Sequence, residues 1–148
     1  MILVDEYLAI RVISGAAPNA MPAGAVALTY SRAYRLTRAL LDPGPGRLRG
    51  RGRFTRLIDA LPEHDQRVLY EWLAEPNPNV LTIVDPRQLI RVAGALQNTY
   101  AVSLLQAETL AAAATHGWPI RFGDPDSTTA HVGRAAQELG LDLAVFTL

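Results

Sequence analysis

The sequence predicts an α/β domain: a mostly parallel central sheet of about four to five strands with helices on both faces. Three observations carry that expectation. Short apolar runs rich in β-branched residues alternate with longer segments of helical spacing. The breaks between them are marked by Gly, Pro, Asn and Asp. Several apolar runs end at an aspartate, and the carboxyl ends of strands are where a parallel sheet binds ligands. The 148 residues suit one domain, 1–148, long enough to bury a core.

Ile2, Leu3 and Val4 read as a buried strand ending at Asp5. Tyr7 to Ile13 keeps helical spacing, with Leu8, Val12 and Ile13 sharing a face. Ser14, Gly15, Pro18, Asn19, Pro22 and Gly24 punctuate a loop, and Ala25 to Leu28 is a second strand. Thr29 or Ser31 can cap a helix from Tyr30 to Leu41, which Asp42-Pro43-Gly44-Pro45-Gly46 stops. Arg47 to Arg53 reads as an exposed loop, and Arg56 to Leu61 as a short helix. Pro62 to Leu73 is a better helix, with Val68, Leu69, Trp72 and Leu73 as its apolar side.

After the break at Glu75-Pro76-Asn77-Pro78-Asn79, Val80 to Val84 forms a third strand ending at Asp85. Pro86 suits the first turn of a helix reaching Asn98. Ser103 opens the longest helical pattern, to His116, with Leu104, Ala107, Ala111 and Ala114 on one face and Gly117 as its stop. Trp118 to Phe122 is a fourth strand, followed by the polar loop Gly123-Asp124-Pro125-Asp126-Ser127. A helix from Ser127 to Leu139 and a strand from Leu141 to Phe146 complete the chain.

Composition narrows the function classes. Apolar residues make up 49% and charged residues 19%, a balance that excludes a disordered chain. With no cysteine there can be no disulfide, zinc–thiolate site, iron–sulfur cluster or thiol nucleophile. No apolar run approaches the roughly 20 residues of a spanning helix. The first six residues carry two acids and no basic segment, so a cytoplasmic protein without a membrane partner is expected. Formal net charge is zero, yet every cation is an arginine. Eight of them (Arg32, Arg35, Arg38, Arg47, Arg49, Arg51, Arg53 and Arg56) fall in one stretch whose only acid is Asp42. Such clustering allows a local phosphate-binding surface on a neutral protein.

Asp5 and Asp124, at the ends of two strands, mark the expected site. Each also has a plainer role, Asp5 as a helix cap and Asp124 as a turn residue. Asp85 before Pro86 reads as a helix cap, and Glu63, Asp65 and Glu71 as a solvated helix face. His64, His116 and His131 are too scattered for a metal or triad motif. No G-x-S-x-G elbow is present, and the glycines around Gly44 to Gly52 fit no phosphate loop.

From Val80, the stretch VLTIVDPRQLIRVAGALQNTYAVSLLQAETLAAAATHGWPIRFGDPD resembles the C-terminal half of PIN-domain toxin ribonucleases of the VapC type. Tyr100 to Ala107 stands at that family's Y-G-L-S-L-A-D-A motif, His116-Gly117 ends the alanine-rich helix, and Asp124 is the loop acid. The opening Ile2-Leu3-Val4-Asp5 is similar to the family's first strand and first catalytic aspartate. The resemblance covers both ends of the chain well and the middle poorly.

The resemblance implies a PIN-like three-layer sandwich. It also implies the toxin of a type II toxin–antitoxin pair, a divalent-metal-dependent endoribonuclease with RNA as substrate and a cognate antitoxin as partner. Asp5 and Asp124 would be catalytic and would hold Mg2+ or Mn2+, hard cations that want oxygen ligands and activate water. Two positions depart from the pattern. Gln106 stands where a helix-borne aspartate is expected; it can orient water but supplies no charge. The helix after the second strand, where the family has a glutamate, carries Arg32, Arg35 and Arg38 and no acid. Glu6 and Asp126 adjoin the two matched acids, whereas Glu108 lies about 200° around the helix from Gln106 and faces elsewhere.

These departures leave an alternative open: a catalytically degenerate PIN-like domain that binds RNA or an antitoxin. Arg47, Arg49, Arg51 and Arg53 would then grip RNA phosphates or the acidic tail of a partner, or form a solvated loop. A homodimer packed through apolar helices, including Ala111 to Ala114, is a further expectation.

Overall fold

The structure is a computed structural model that describes residues 1–19, 21, 24–41 and 53–146. Five parallel strands form one sheet: β1 (Ile2–Val4), β2 (Val26–Thr29), β3 (Leu81–Val84), β4 (Ile120–Phe122) and β5 (Leu143–Val145). Their order is β3-β2-β1-β4-β5. Among the described residues seven α-helices flank it: α1 (Glu6–Ile13), α2 (Tyr30–Leu41), α3 (Arg53–Asp59), α4 (Glu63–Ala74), α5 (Ile90–Thr99), α6 (Leu104–His116) and α7 (Ala130–Glu138). None is long and apolar enough to cross a membrane.

Period-two alternation divides the core into two layers, as expected for a sheet covered on both faces. Ile2, Val4, Val26, Leu28 and Leu81 face α1, α2, α3 and α4, where Leu8, Leu36, Ile58 and Leu69 meet them. Leu3, Ala27, Ile120 and Phe122 face α5, α6 and α7. Leu3, Leu28 and Ile120 are fully buried, each worth about 1.5–3 kcal/mol by burial alone. The result is the three-layer α/β sandwich anticipated from the sequence.

Three helices differ from expectation, the first two for a local reason. The segment from Pro86 splits into a 3₁₀ turn, Pro86–Gln88, and α5. Asp85 caps that turn by accepting from Arg87 N, and Leu89 N donates to Pro86 O, so the chain restarts rather than continuing. The last helix begins at Ala130 because Thr129 caps it, while Pro125–Ser127 forms its own 3₁₀ turn. The helix expected from Arg56 starts three residues earlier, at Arg53.

On α6, Ala107 and Ala111 are buried as expected, but Leu104 and Ala114 are exposed. Burial instead runs without a break from Ala107 to Ala113. Packing against β1, β2, α2, α5 and α7 covers most of the helix circumference at this level, and small side chains let the neighbours approach. Ala111, Ala112 and Ala113 are thereby consumed inside one chain, so they offer no surface to a second copy.

Candidate active site

The strand order places a topological switch point beside β1. The chain moves from β1 to β2 to β3 in one direction, then returns to lay β4 on the other side of β1. A crevice at such a point is the usual ligand site of an open parallel sheet. Asp5 follows β1 and Gly123-Asp124 follows β4, so the two matched acids stand on either side of it.

Here the crevice is bridged by hydrogen bonds. Asp5 is fully buried. Its Oδ1 caps α1 by accepting from Leu8 N at 3.0 Å. Its Oδ2 accepts from Gly123 N and Asp124 N, each at 2.9 Å, and from Ser127 Oγ at 3.1 Å. Burial pushes the Asp5 carboxyl above its ordinary range; the amides of Leu8, Gly123 and Asp124 and the charge of Arg32 pull the other way without overcoming it.

Next to Asp5, an ion network spans three helices. Glu6, also buried, accepts from Arg32 Nη1 at 2.6 Å and from Arg35 Nη1 at 3.3 Å. Arg32 is itself only 2% exposed. Its Nε donates to Thr109 Oγ1 at 3.0 Å, and its guanidinium lies 5.2 Å from the centre of the Phe122 ring. One residue before Thr109, Glu108 reaches the N-terminus of α2, accepting from Ser31 N at 3.2 Å and Ser31 Oγ at 2.9 Å. A carboxylate from α6 therefore occupies the positive end of α2. Thr29, read as a cap of this helix, does not supply the bond: its hydroxyl is buried with no partner among the described residues.

The residues singled out from sequence fall into three groups. Asp5 and Asp124 are joined directly, through the Asp124 amide, and Asp124 Oδ1 also accepts from Asp126 N to close the turn after β4. Gln106 is not part of this cluster. It forms a capping box at the start of α6, where its N–H donates to Ser103 Oγ at 3.3 Å and its Oε1 accepts from Ser103 N at 2.9 Å. Arg47, Arg49 and Arg51 lie outside the described residues, and Arg53 opens α3. Sequence reasoning missed Arg32, Glu108, Thr109 and Ser127 as members of the cluster. The signal for Gln106 was available, because Ser103-Leu104-Leu105-Gln106 is itself the S-x-x-Q pattern of a capping box.

The fit to a divalent cation follows from these partners. A hard cation needs carboxylate oxygens with lone pairs directed at it. Both Asp5 oxygens already accept from protein donors, and Glu6 is neutralised by two arginines. A buried guanidinium already supplies positive charge beside them, so Asp5 and Glu6 as arranged make a poor seat for Mg2+ or Mn2+. Among the described residues no three His, Asp or Glu side chains form a group that could hold a metal ion. No family model matches the chain, and no curated protein matches it.

Proposed function

We propose that this chain is a PIN-like domain of the toxin–antitoxin class that has given up metal-dependent cleavage and works as a binding module for single-stranded RNA. The observation that carries the reading is the buried Arg32–Glu6 pair. On the helix where the ribonucleases it resembles carry an acid, this chain buries a cation and pairs it with the glutamate beside Asp5. The network is internally satisfied, which suits a structural role better than a reactive one.

The surface of α2 supports the binding half of the proposal. Tyr30 and Tyr34 are 51% and 58% exposed and stand one helical turn apart. Arg38 continues the same exposed stripe, and the arginines from 47 to 53 follow in the sequence. Aromatic faces that stack bases, beside arginines that meet phosphates, are the usual elements of single-strand recognition.

A second reading, a toxin-type Mg2+- or Mn2+-dependent endoribonuclease using Asp5 and Asp124, is favoured by the direct contact of these two acids at the switch point. Gel-shift and cleavage assays with end-labelled single-stranded RNA separate the two. Binding that weakens steeply with salt, with RNA recovered intact in excess Mn2+, is the expected result. Metal-dependent cleavage abolished by Asp5→Ala or Asp124→Ala would replace the first reading with the second. Failure of the RNA to bind at low salt would sink the first reading as well.

A further inference from the structure

A cavity of about 310 Å³ lies beside the C-terminal end of α1 and is lined by Ile10, Arg11, Ser14, Leu57, Leu61 and Asp65, among others. It is separate from the Asp5 cluster: Asp5 caps the N-terminus of α1, and the eight residues of that helix carry the chain about 12 Å away. Leu57 and Leu61, partly buried against the core on this side of the sheet, give the cavity an apolar wall, which the fully buried Ile10 backs.

Two opposite charges share that wall. Arg11 Nε is buried with no hydrogen-bond partner, and among the described residues the guanidinium makes no ion pair. Asp65, half-buried on α4, makes none either, so the two do not pair with each other. The helix dipoles account for the sign of each: Arg11 is in the last turn of α1 and Asp65 in the first turn of α4. They do not account for a cation and an anion, each unpaired among the described residues, facing one partly apolar cavity, where an unmade bond to a buried donor costs about 1–3 kcal/mol.

We infer that this cavity binds a small zwitterion with an apolar body, in the class of apolar amino acids and their dipeptides. Its carboxylate meets Arg11, its ammonium meets Asp65, and its side chain rests on Leu57 and Leu61. The volume is at the lower end of ordinary small-molecule pockets, about 300–1,000 Å³, which suits a ligand of this size.

The test is calorimetric titration of the full chain with leucyl-leucine, alongside hexanoate and hexylamine, which each carry one charge. Saturable binding of the dipeptide is expected, weakened at least about tenfold by Arg11→Gln and by Asp65→Asn separately. Hexanoate should bind more weakly and should lose no affinity in Asp65→Asn. Circular dichroism melts of both variants establish that they fold. Amide NMR shifts on dipeptide addition should centre on Arg11, Ser14 and Leu57. No saturable binding to the folded protein, binding unchanged in both variants, or hexanoate binding as tightly as the dipeptide would each overturn the assignment. None of these outcomes depends on RNA binding.

Discussion

Gly123 donates its backbone N–H to Asp5 Oδ2 at 2.9 Å, joining residues 118 apart in sequence across the switch point of the sheet. Asp124 and Ser127 donate to the same oxygen, while the other oxygen caps α1. One carboxylate thus fixes the end of β1, the start of α1 and the turn after β4. Asp5→Ala leaves four donors without their acceptor, three of them backbone amides. A loss of about 3 kcal/mol in unfolding free energy is expected, the sum of a lost cap and buried unsatisfied donors. Asp5→Asn keeps one acceptor oxygen but turns an NH2 toward donors on the other side, so it should fall between wild type and Asp5→Ala. Urea denaturation of the three proteins checks the order; a change below about 0.5 kcal/mol in Asp5→Ala would mean that the bridge carries little of the fold.

The same residue gives a pH prediction. Burial raises the Asp5 carboxyl above 3.8, so the folded chain holds this proton more tightly than the unfolded chain does. Its stabilising contribution is therefore fully present below 3.8 and is lost as pH rises through the raised value. Asp142, held down by its hydrogen bonds to Arg121, acts in the opposite direction, contributing stability that is lost as pH falls. That second effect is common to wild type and Asp5→Asn and cancels in their difference. The stability advantage of wild type over Asp5→Asn should accordingly shrink as pH increases above 3.8. An advantage that grows with pH would mean that the four donors outweigh burial and that Asp5 is held ionised.

How much of this was legible in the sequence depends on the range of the interaction. The strand ends at Asp5 and Asp124 could be read because an apolar run followed by an acid is a local pattern, and parallel topology brings such ends to one edge. The cap at Asp85 and the stop at Gly117, which adopts a φ of +70°, were local in the same way. Arg32 and Glu6 were not legible as a pair. They are 26 residues apart, and nothing in the spacing on either helix reveals that two charges will be buried against each other. The face of α6 was misjudged for a related reason. Periodicity reports one buried stripe, whereas an alanine-rich helix enclosed by several neighbours buries almost every position from Ala107 to Ala113.

The Arg32–Glu6 pair should behave as a buried ion pair. Breaking it by Arg32→Met leaves the Glu6 carboxylate facing only the partly exposed Arg35, and a loss of about 3–5 kcal/mol is expected. Glu6→Gln alone should also destabilise, by leaving the buried guanidinium short of an acceptor. The double variant, Arg32→Met with Glu6→Gln, removes both charges and should recover much of the loss, because well-packed neutral residues often replace a buried pair without penalty. A double-mutant cycle measures the coupling directly. Additive losses, with no recovery in the double variant, would mean that Arg32 is held mainly by Thr109 and Phe122 rather than by Glu6.

The binding surface proposed on α2 makes the last prediction. Tyr30→Ala and Tyr34→Ala remove rings of residues that are more than half exposed, so the melting temperature should change little. Affinity for single-stranded RNA should drop by about 1–3 kcal/mol for each ring that stacks on a base. Arg38→Gln should act differently, weakening binding and reducing the salt slope by about one counterion. The two kinds of variant thus separate stacking from charge: the tyrosine changes lower affinity at fixed slope, and the arginine change lowers the slope itself. Full affinity in the double tyrosine variant would move the contact off this helix and onto the arginine-rich segment that follows it.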